Sequence, residues 1–210
     1  MKSNYKFYRI CYRIARALVG IVYGIDVQGK GNIPEGAVMI CANHSSIIDP
    51  LFMAFAFGID HHIHIVAKAE LYKVPVLSAI VQGLGAIKVD RSINDVNSVK
   101  ETLSYLKKGE KVAIFPEGTR KPVENAIEAK SGAVKVAEFA KVPVVPLYIP
   151  RKKTWFSKIH LVIGESYLIE KRSVKRTPDE YLRLTDSLMS RIEALNPVRT
   201  KNSEFGIRNS

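Results

Sequence analysis

The chain has 210 residues, enough for one ordinary domain with a full hydrophobic core. At 47% hydrophobic and 25% charged it is neither disordered nor fibrous, and two cysteines, Cys11 and Cys41, exclude a disulfide framework or a cysteine-rich zinc site. The formal net charge of +12 favours anionic company: nucleic acid, acidic lipid headgroups, phosphorylated substrates or an acidic carrier protein.

The first predicted element is a helix over residues 5–23. At helical spacing, Lys6, Arg9, Arg13 and Arg16 fall within an arc of roughly 80°. The remaining circumference carries Phe7, Tyr8, Ile10, Cys11, Ile14, Leu18, Val19 and Val22. A basic stripe beside a wide apolar face suits a helix lying in the headgroup boundary of a membrane. The charge-free run 17–25 is far shorter than the roughly 18 residues that read as a spanning helix. No A-x-A-like cleavage site follows it, which argues against a secretory signal. The competing reading is a helix that packs on the domain. The expected organisation is an amphipathic membrane-associating helix over 1–24, a catalytic domain over 25–196 and a mobile tail over 197–210.

From residue 26 onward, short β-rich runs alternate with helical patterns, which predicts an α/β domain. Candidate strands are 37–42, 63–67, 86–89, 112–115, 144–149 and 159–163. Cys41 reads as a small core residue within the first of these, and both thiols are expected to be reduced. Val96, Val99, Leu103 and Leu106 predict a helix over 95–106, stopped by Gly109. A second helix is expected over 131–140, and a third from Pro178 until Pro197 stops it.

Two segments carry chemistry. Asn43-His44-Ser45-Ser46-Ile47-Ile48-Asp49-Pro50 follows a strand and opens a helix, a common place for reactive groups in α/β proteins. Asp49 before Pro50 signals a helix start with Asp49 as the cap, and Ser46 with Asp49 offers a capping box instead. His44 lies outside regular helix either way, so its ring can fold back on the Asp49 carboxylate. A histidine so oriented is a general base, and the absence of a G-x-S-x-G elbow leaves the substrate's hydroxyl as the proton donor. The bland alternative is that both residues only shape a helix start. The second segment, Phe115-Pro116-Glu117-Gly118-Thr119-Arg120, also ends a strand. Its tight loop and the Arg120 fork suit a phosphate, or else an Arg–Glu pair braces the loop.

These blocks resemble the signatures of the glycerolipid acyltransferase family, most closely its bacterial 1-acylglycerol-3-phosphate branch. Asn43–Asp49 matches Asn-His-x-Ser-x-x-Asp, the H-x4-D motif; Gly85-Ala86-Ile87-Lys88-Val89-Asp90-Arg91 matches G-x-I-x-x-D-R; Phe115–Arg120 matches the third block in full. Pro146 between β-rich apolar residues fits the fourth, and Lys68-Ala69-Glu70-Leu71 fits a further feature. The likeness runs in order from about Val27 to Leu147, with Lys88 a mild departure in a strand.

The expected fold is a single α/β domain with a mixed, largely parallel sheet flanked by helices, plus the amphipathic N-terminal helix at a membrane surface. The resemblance implies that His44, oriented by Asp49, deprotonates the 2-hydroxyl of lysophosphatidic acid, which attacks an acyl thioester and yields phosphatidic acid. Lys68, Glu117, Gly118, Thr119 and Arg120 would hold the acceptor's phosphate side. No covalent acyl-enzyme, metal or cofactor is implied, and the cosubstrate is acyl-CoA or acyl-acyl carrier protein. The expected place is the cytoplasmic face of the cell membrane, as a peripheral or monotopic protein. Alternatives are another lysolipid acceptor, or a catalytically silent basic module that binds anionic membranes.

Three signals carry less weight. His61-His62-x-His64 would place His62 and His64 on one face of a strand, but no nearby Cys or acidic pair completes a zinc site. The basic runs 151–153 and 171–176 read as solvated loops. Aromatic residues do not interleave with them as nucleic-acid stacking would require, so no nucleic acid is expected as a partner.

Overall fold

A computed structural model describes residues 5–73, 75–90, 95–117, 131–170 and 172–197. Seven strands form one sheet: β1 (Gly24–Gln28), β2 (Met39–Ala42), β3 (Ile63–Lys68), β4 (Ile87–Val89), β5 (Lys111–Ile114), β6 (Val144–Tyr148) and β7 (Lys158–Ile163). The described helices are α1 (Tyr5–Val22), α2 (Asp49–Phe57), α3 (Pro75–Gly83), α4 (Val96–Lys107), α5 (Gly132–Ala140) and α6 (Pro178–Ala194). Strand order is β1-β7-β6-β2-β5-β3-β4. β2 to β6 run parallel to one another, while β7 pairs antiparallel with β6 and carries β1 parallel to itself. The sheet is thus mixed and largely parallel.

Both faces of the central strands are covered, which is why they read as continuous apolar runs. On β2, Val38, Ile40 and Ala42 join one core with Phe52, Met53, Phe55 and Phe57 of α2. Met39 and Cys41 point to the other core, against Leu106 of α4, Val134 and Ala137 of α5, and Leu188 and Ile192 of α6. Burial pushes the Cys41 thiol pKa well up, so it stays protonated and inert. Lys88 has its explanation here: β4 is an edge strand, and Lys88 stands exposed with its ammonium 5.7 Å from the Tyr72 ring centre.

α1 carries three stripes. Tyr8, Tyr12, Ala15 and Val19 face the domain, with Tyr12 edge-on to Phe55 at 5.3 Å and the Tyr8 hydroxyl donating to the His61 carbonyl at 3.1 Å. The basic arc comes next. Beyond it Ile10, Ile14, Leu18 and Ile21 are all more than half exposed. The packing reading therefore holds for one face, and a second apolar stripe is left over. No described helix is long and apolar enough to cross a membrane.

Topology brings three segments to one end of the sheet. The β2–α2 loop leaves the carboxyl end of β2, and the β6–β7 connection crosses the same end. Because β1 runs opposite to β2, the carboxyl end of α1 arrives there too. Of the expected tail, residues 198–210 lie outside the described residues.

Candidate active site

Asn43 is where β2 stops being a strand. Its buried amide donates to the Ile149 carbonyl at 2.6 Å and accepts from the Ile149 N–H at 2.9 Å. The side chain thereby continues the β2–β6 ladder while the backbone turns away, and His44 follows directly. The His44 ring stacks on Phe115 at 4.1 Å with an interplanar angle of 18°. Its Nδ1 lies 3.0 Å from Asp49 Oδ2.

Asp49 does not cap α2. It is the first helical residue, after Ile48 at the cap position with no side-chain cap bond. Its Oδ2 turns back to accept from the Ser45 and Ser46 N–H groups at 2.6 and 2.7 Å. Ser46 builds no capping box either; its hydroxyl accepts only a long 3.5 Å contact from the Ile48 N–H. The fully buried carboxylate thus spends its oxygens on the loop that carries His44 rather than on the helix. An Asp49 carboxylate beside Nδ1 fixes the proton there and leaves Nε2 as the basic nitrogen. Among the described residues nothing hydrogen-bonds Nε2.

The other Asp49 oxygen meets a residue that sequence reasoning set aside. The Lys153 ammonium, on a side chain only 6% exposed, sits 2.8 Å from Oδ1. It also donates to the Ser45 hydroxyl at 3.0 Å and the Pro150 carbonyl at 2.7 Å. Burial by itself raises the Asp49 pKa. Hydrogen bonds from His44 and Lys153, the Lys153 charge and the Ser45 N–H outweigh it and hold the carboxyl below its ordinary range.

Arg151 is the second correction to the solvated-loop expectation. Its guanidinium donates to Glu117 at 2.7 Å and to Glu193 of α6 at 2.6 Å. Glu117, expected on the acceptor's phosphate side, is therefore committed to Arg151. In the run 171–176, residues 172–175 are exposed as expected, Arg172 pairing with Glu180 at the surface, and Arg176 alone departs, its side chain nearly buried and paired with Glu138 at 3.0 Å; residue 171 lies outside the described residues. No signal in a linear reading marks Arg151 or Lys153, since their side-chain partners lie 34 to 108 residues away.

Lys68 ends β3 half-buried, beside Val89 of β4, at the carboxyl end shared with Glu117 and His44. Gly118, Thr119, Arg120 and Arg91 lie outside the described residues. Gly85 of the second block has φ +70°, and a Cβ there would stand 2.9 Å from His64 Nδ1. That block's glycine is therefore a matter of backbone geometry at the amino end of β4. His62, His64 and Glu110 gather near that end, with donor atoms within 4.8 Å of one another. Their rings are held as buried polar groups are: His62 by the Leu84 carbonyl at 2.9 Å, His64 by the Gly85 carbonyl at 2.8 Å and by Glu110.

Comparison with known proteins places the chain in a family. The family model described as Acyltransferase matches residues 24–150. A 1-acyl-sn-glycerol-3-phosphate acyltransferase of Bacillus subtilis is 28% identical over 194 residues, 90% of this chain and 96% of that protein. The enzyme of the same name from Pseudomonas aeruginosa is 32% identical over 154 residues, 70% of this chain but 58% of its own length. The probable 1-acyl-sn-glycerol-3-phosphate acyltransferase of Mycoplasma pneumoniae is 37% identical over 130 residues, and the chain spans 48% of its length. The crystal structure of the 1-acyl-sn-glycerophosphate (LPA) acyltransferase from Thermotoga maritima shares the fold, with TM-score 0.68 at 23% identity over 93% of this chain and 79% of that one. With its family model spanning more than half the sequence, this chain belongs to the acyltransferase family.

Proposed function

We propose that the protein transfers a fatty acyl group from a thioester to the 2-hydroxyl of lysophosphatidic acid, forming phosphatidic acid. The observation that carries this reading is the buried His44–Asp49 pair, whose Nε2 has no hydrogen-bond partner among the described residues. Nε2 takes the hydroxyl proton as the oxygen attacks the thioester carbonyl. Collapse of the tetrahedral intermediate expels the thiolate, and the imidazolium returns its proton to that sulfur. Asp49 stabilises the imidazolium between the two transfers. No group of the chain needs to be acylated.

Arg120, Gly118, Thr119 and Lys68 hold the acceptor's phosphate, an arginine fork being matched to its oxygens. Glu117 serves the site indirectly, by bracing Arg151. The reaction needs no metal, and the donor is acyl-CoA or acyl-acyl carrier protein. Residues 1–24 seat the enzyme on the cytoplasmic face of an anionic membrane, as the exposed stripe Ile10, Ile14, Leu18 and Ile21 beside the basic arc suggests.

The test is acyl transfer by the purified protein with lysophosphatidic acid and each donor, beside a His44→Ala control. Product from the wild type alone supports the reading and names the donor. Folded protein that turns over with neither donor rejects it, and wild-type-like turnover by His44→Ala rejects the mechanism.

A further inference from the structure

The connection between β6 and β7 has two ends of opposite character. Arg151 and Lys153 are drawn into the site, whereas Trp155 and Phe156 at its tip are 71% and 78% exposed. Exposure alone means little for one side chain, but here two aromatic rings stand side by side, and one is held there at a cost. Phe156 has φ +60°, in the left-handed region that an L-residue with a bulky side chain avoids.

The surroundings enforce that conformation. The Phe156 N–H donates to the Val22 carbonyl at 2.8 Å, tying the tip to the last residue of α1. The Ser157 N–H and hydroxyl both donate to the Thr154 carbonyl, at 3.2 and 2.6 Å. Lys153, two residues before Trp155, is anchored on Asp49. A strained, pinned turn that presents rings to water points to something that covers them.

Its neighbours suggest what. The tip joins α1 beside Ile21, 73% exposed, at the end of the stripe that begins at Ile10. Ile47, 67% exposed, lies three residues after His44 at the same end of the sheet. Exposed Lys152 and Lys158 flank the tip, and exposed Lys6 and Arg13 lie along α1. Apolar tips rimmed by cations match an anionic bilayer, where rings enter the acyl boundary and ammonium groups stay with the headgroups.

We propose that the Trp155–Phe156 tip is a second membrane anchor, inserted among anionic phospholipids next to the outer stripe of α1, which holds the His44 site at headgroup depth. The inference rests on the membrane-surface reading of α1 given under Proposed function. It adds a consequence: α1 alone leaves the protein free to roll about the helix axis, and a second contact at its carboxyl end fixes which side of the domain faces the lipid. The same strained turn that carries the rings carries Lys153, so the anchor and the catalytic pair are set by one segment.

Trp155 is the chain's one tryptophan, so the wild-type protein reports on its own tip. Vesicles of equimolar phosphatidylcholine and phosphatidylglycerol are sedimented with the full chain, and tryptophan emission is recorded with and without lipids brominated on their acyl chains. Binding with a blue-shifted emission that brominated chains quench supports the anchor. Binding with emission unchanged and quenched by aqueous iodide overturns it and leaves the α1 reading standing. No binding overturns both. Phe156→Ser, checked for folding by circular dichroism, is expected to weaken partitioning about tenfold, while Phe139→Ser, 71% exposed on α5, leaves it unchanged. Equal losses in the two variants would also overturn the proposal.

Discussion

His44 has one nitrogen committed to Asp49, and in the proposed mechanism the other takes the acceptor's proton, so its removal deletes the base while leaving Phe115 and the loop in place. Turnover by His44→Ala is expected to fall by about 10²–10⁴-fold in a steady-state assay, with the native circular dichroism spectrum retained. Lys153 steadies the pair from the far side: its ammonium holds Asp49 Oδ1 and the Ser45 hydroxyl of the His44 loop. Lys153→Met should therefore lower kcat by about tenfold with little change in KM, because it loosens the carboxylate that orients His44. A wild-type kcat in the folded variant would reduce Lys153 to loop packing. Asp49 makes its own prediction. Its folded pKa lies below its unfolded value of about 4, so its stabilisation is complete above that pH and is lost as pH falls through the folded value. Urea melts of the wild type should lose stability more steeply below about pH 4 than those of Asp49→Asn.

Among the elements, β2, β5 and β6 were legible because both sheet faces are buried there and the runs are apolar, α4 and α6 because their caps are explicit in sequence, and α5 because Pro143 marks its end; β1, a half-exposed edge strand with Asp26 and Gln28, and α3 were not among the candidates. Asp95 accepts from the Asn97 and Ser98 N–H groups, and Thr177 with Glu180 closes a capping box. The H-x4-D spacing disclosed the His44–Asp49 contact but not that Asp49 leaves its helix uncapped, because an Asp-Pro step looks the same whether the carboxylate faces its own helix or the preceding loop. Arg151 and Lys153 were illegible for another reason: a basic run acquires buried partners only when β6 and β7 are placed beside β2. Pure scaffold positions can likewise be told from chemical ones only in three dimensions. Gly85→Ala meets both a left-handed φ and the His64 ring, and should cost about 2 kcal/mol in urea unfolding. Since Gly85 sits at the amino end of β4, away from His44, the folded variant should turn over normally. Loss of turnover without loss of stability would give this motif a direct part in the reaction.

At the scale of the whole molecule, the +12 charge and the three stripes of α1 belong to one design. The inner stripe binds the helix to the sheet, so the basic arc and outer stripe are carried rigidly and at a fixed distance from His44. A tethered, disordered anchor would bring the enzyme to the lipid in any orientation; on the proposed reading a docked helix leaves only rotation about its own axis, which the Trp155–Phe156 tip then stops. The electrostatic part can be separated from the apolar part. Lys6 and Arg13 are exposed, so reversing both to Glu leaves the packing of Tyr8, Tyr12, Ala15 and Val19 untouched. Each cation near an anionic surface is worth about 1 kcal/mol, so loss of both should weaken sedimentation with phosphatidylglycerol vesicles by about thirtyfold, and the two added carboxylates should weaken it further. Raising the salt should weaken the wild type more than the variant, because screening acts only on the charges that remain. Binding to purely zwitterionic vesicles, which depends on the outer stripe, should be the same for both proteins. Equal loss on the two kinds of vesicle would mean that the substitutions had undocked α1, and circular dichroism with a urea melt would show it.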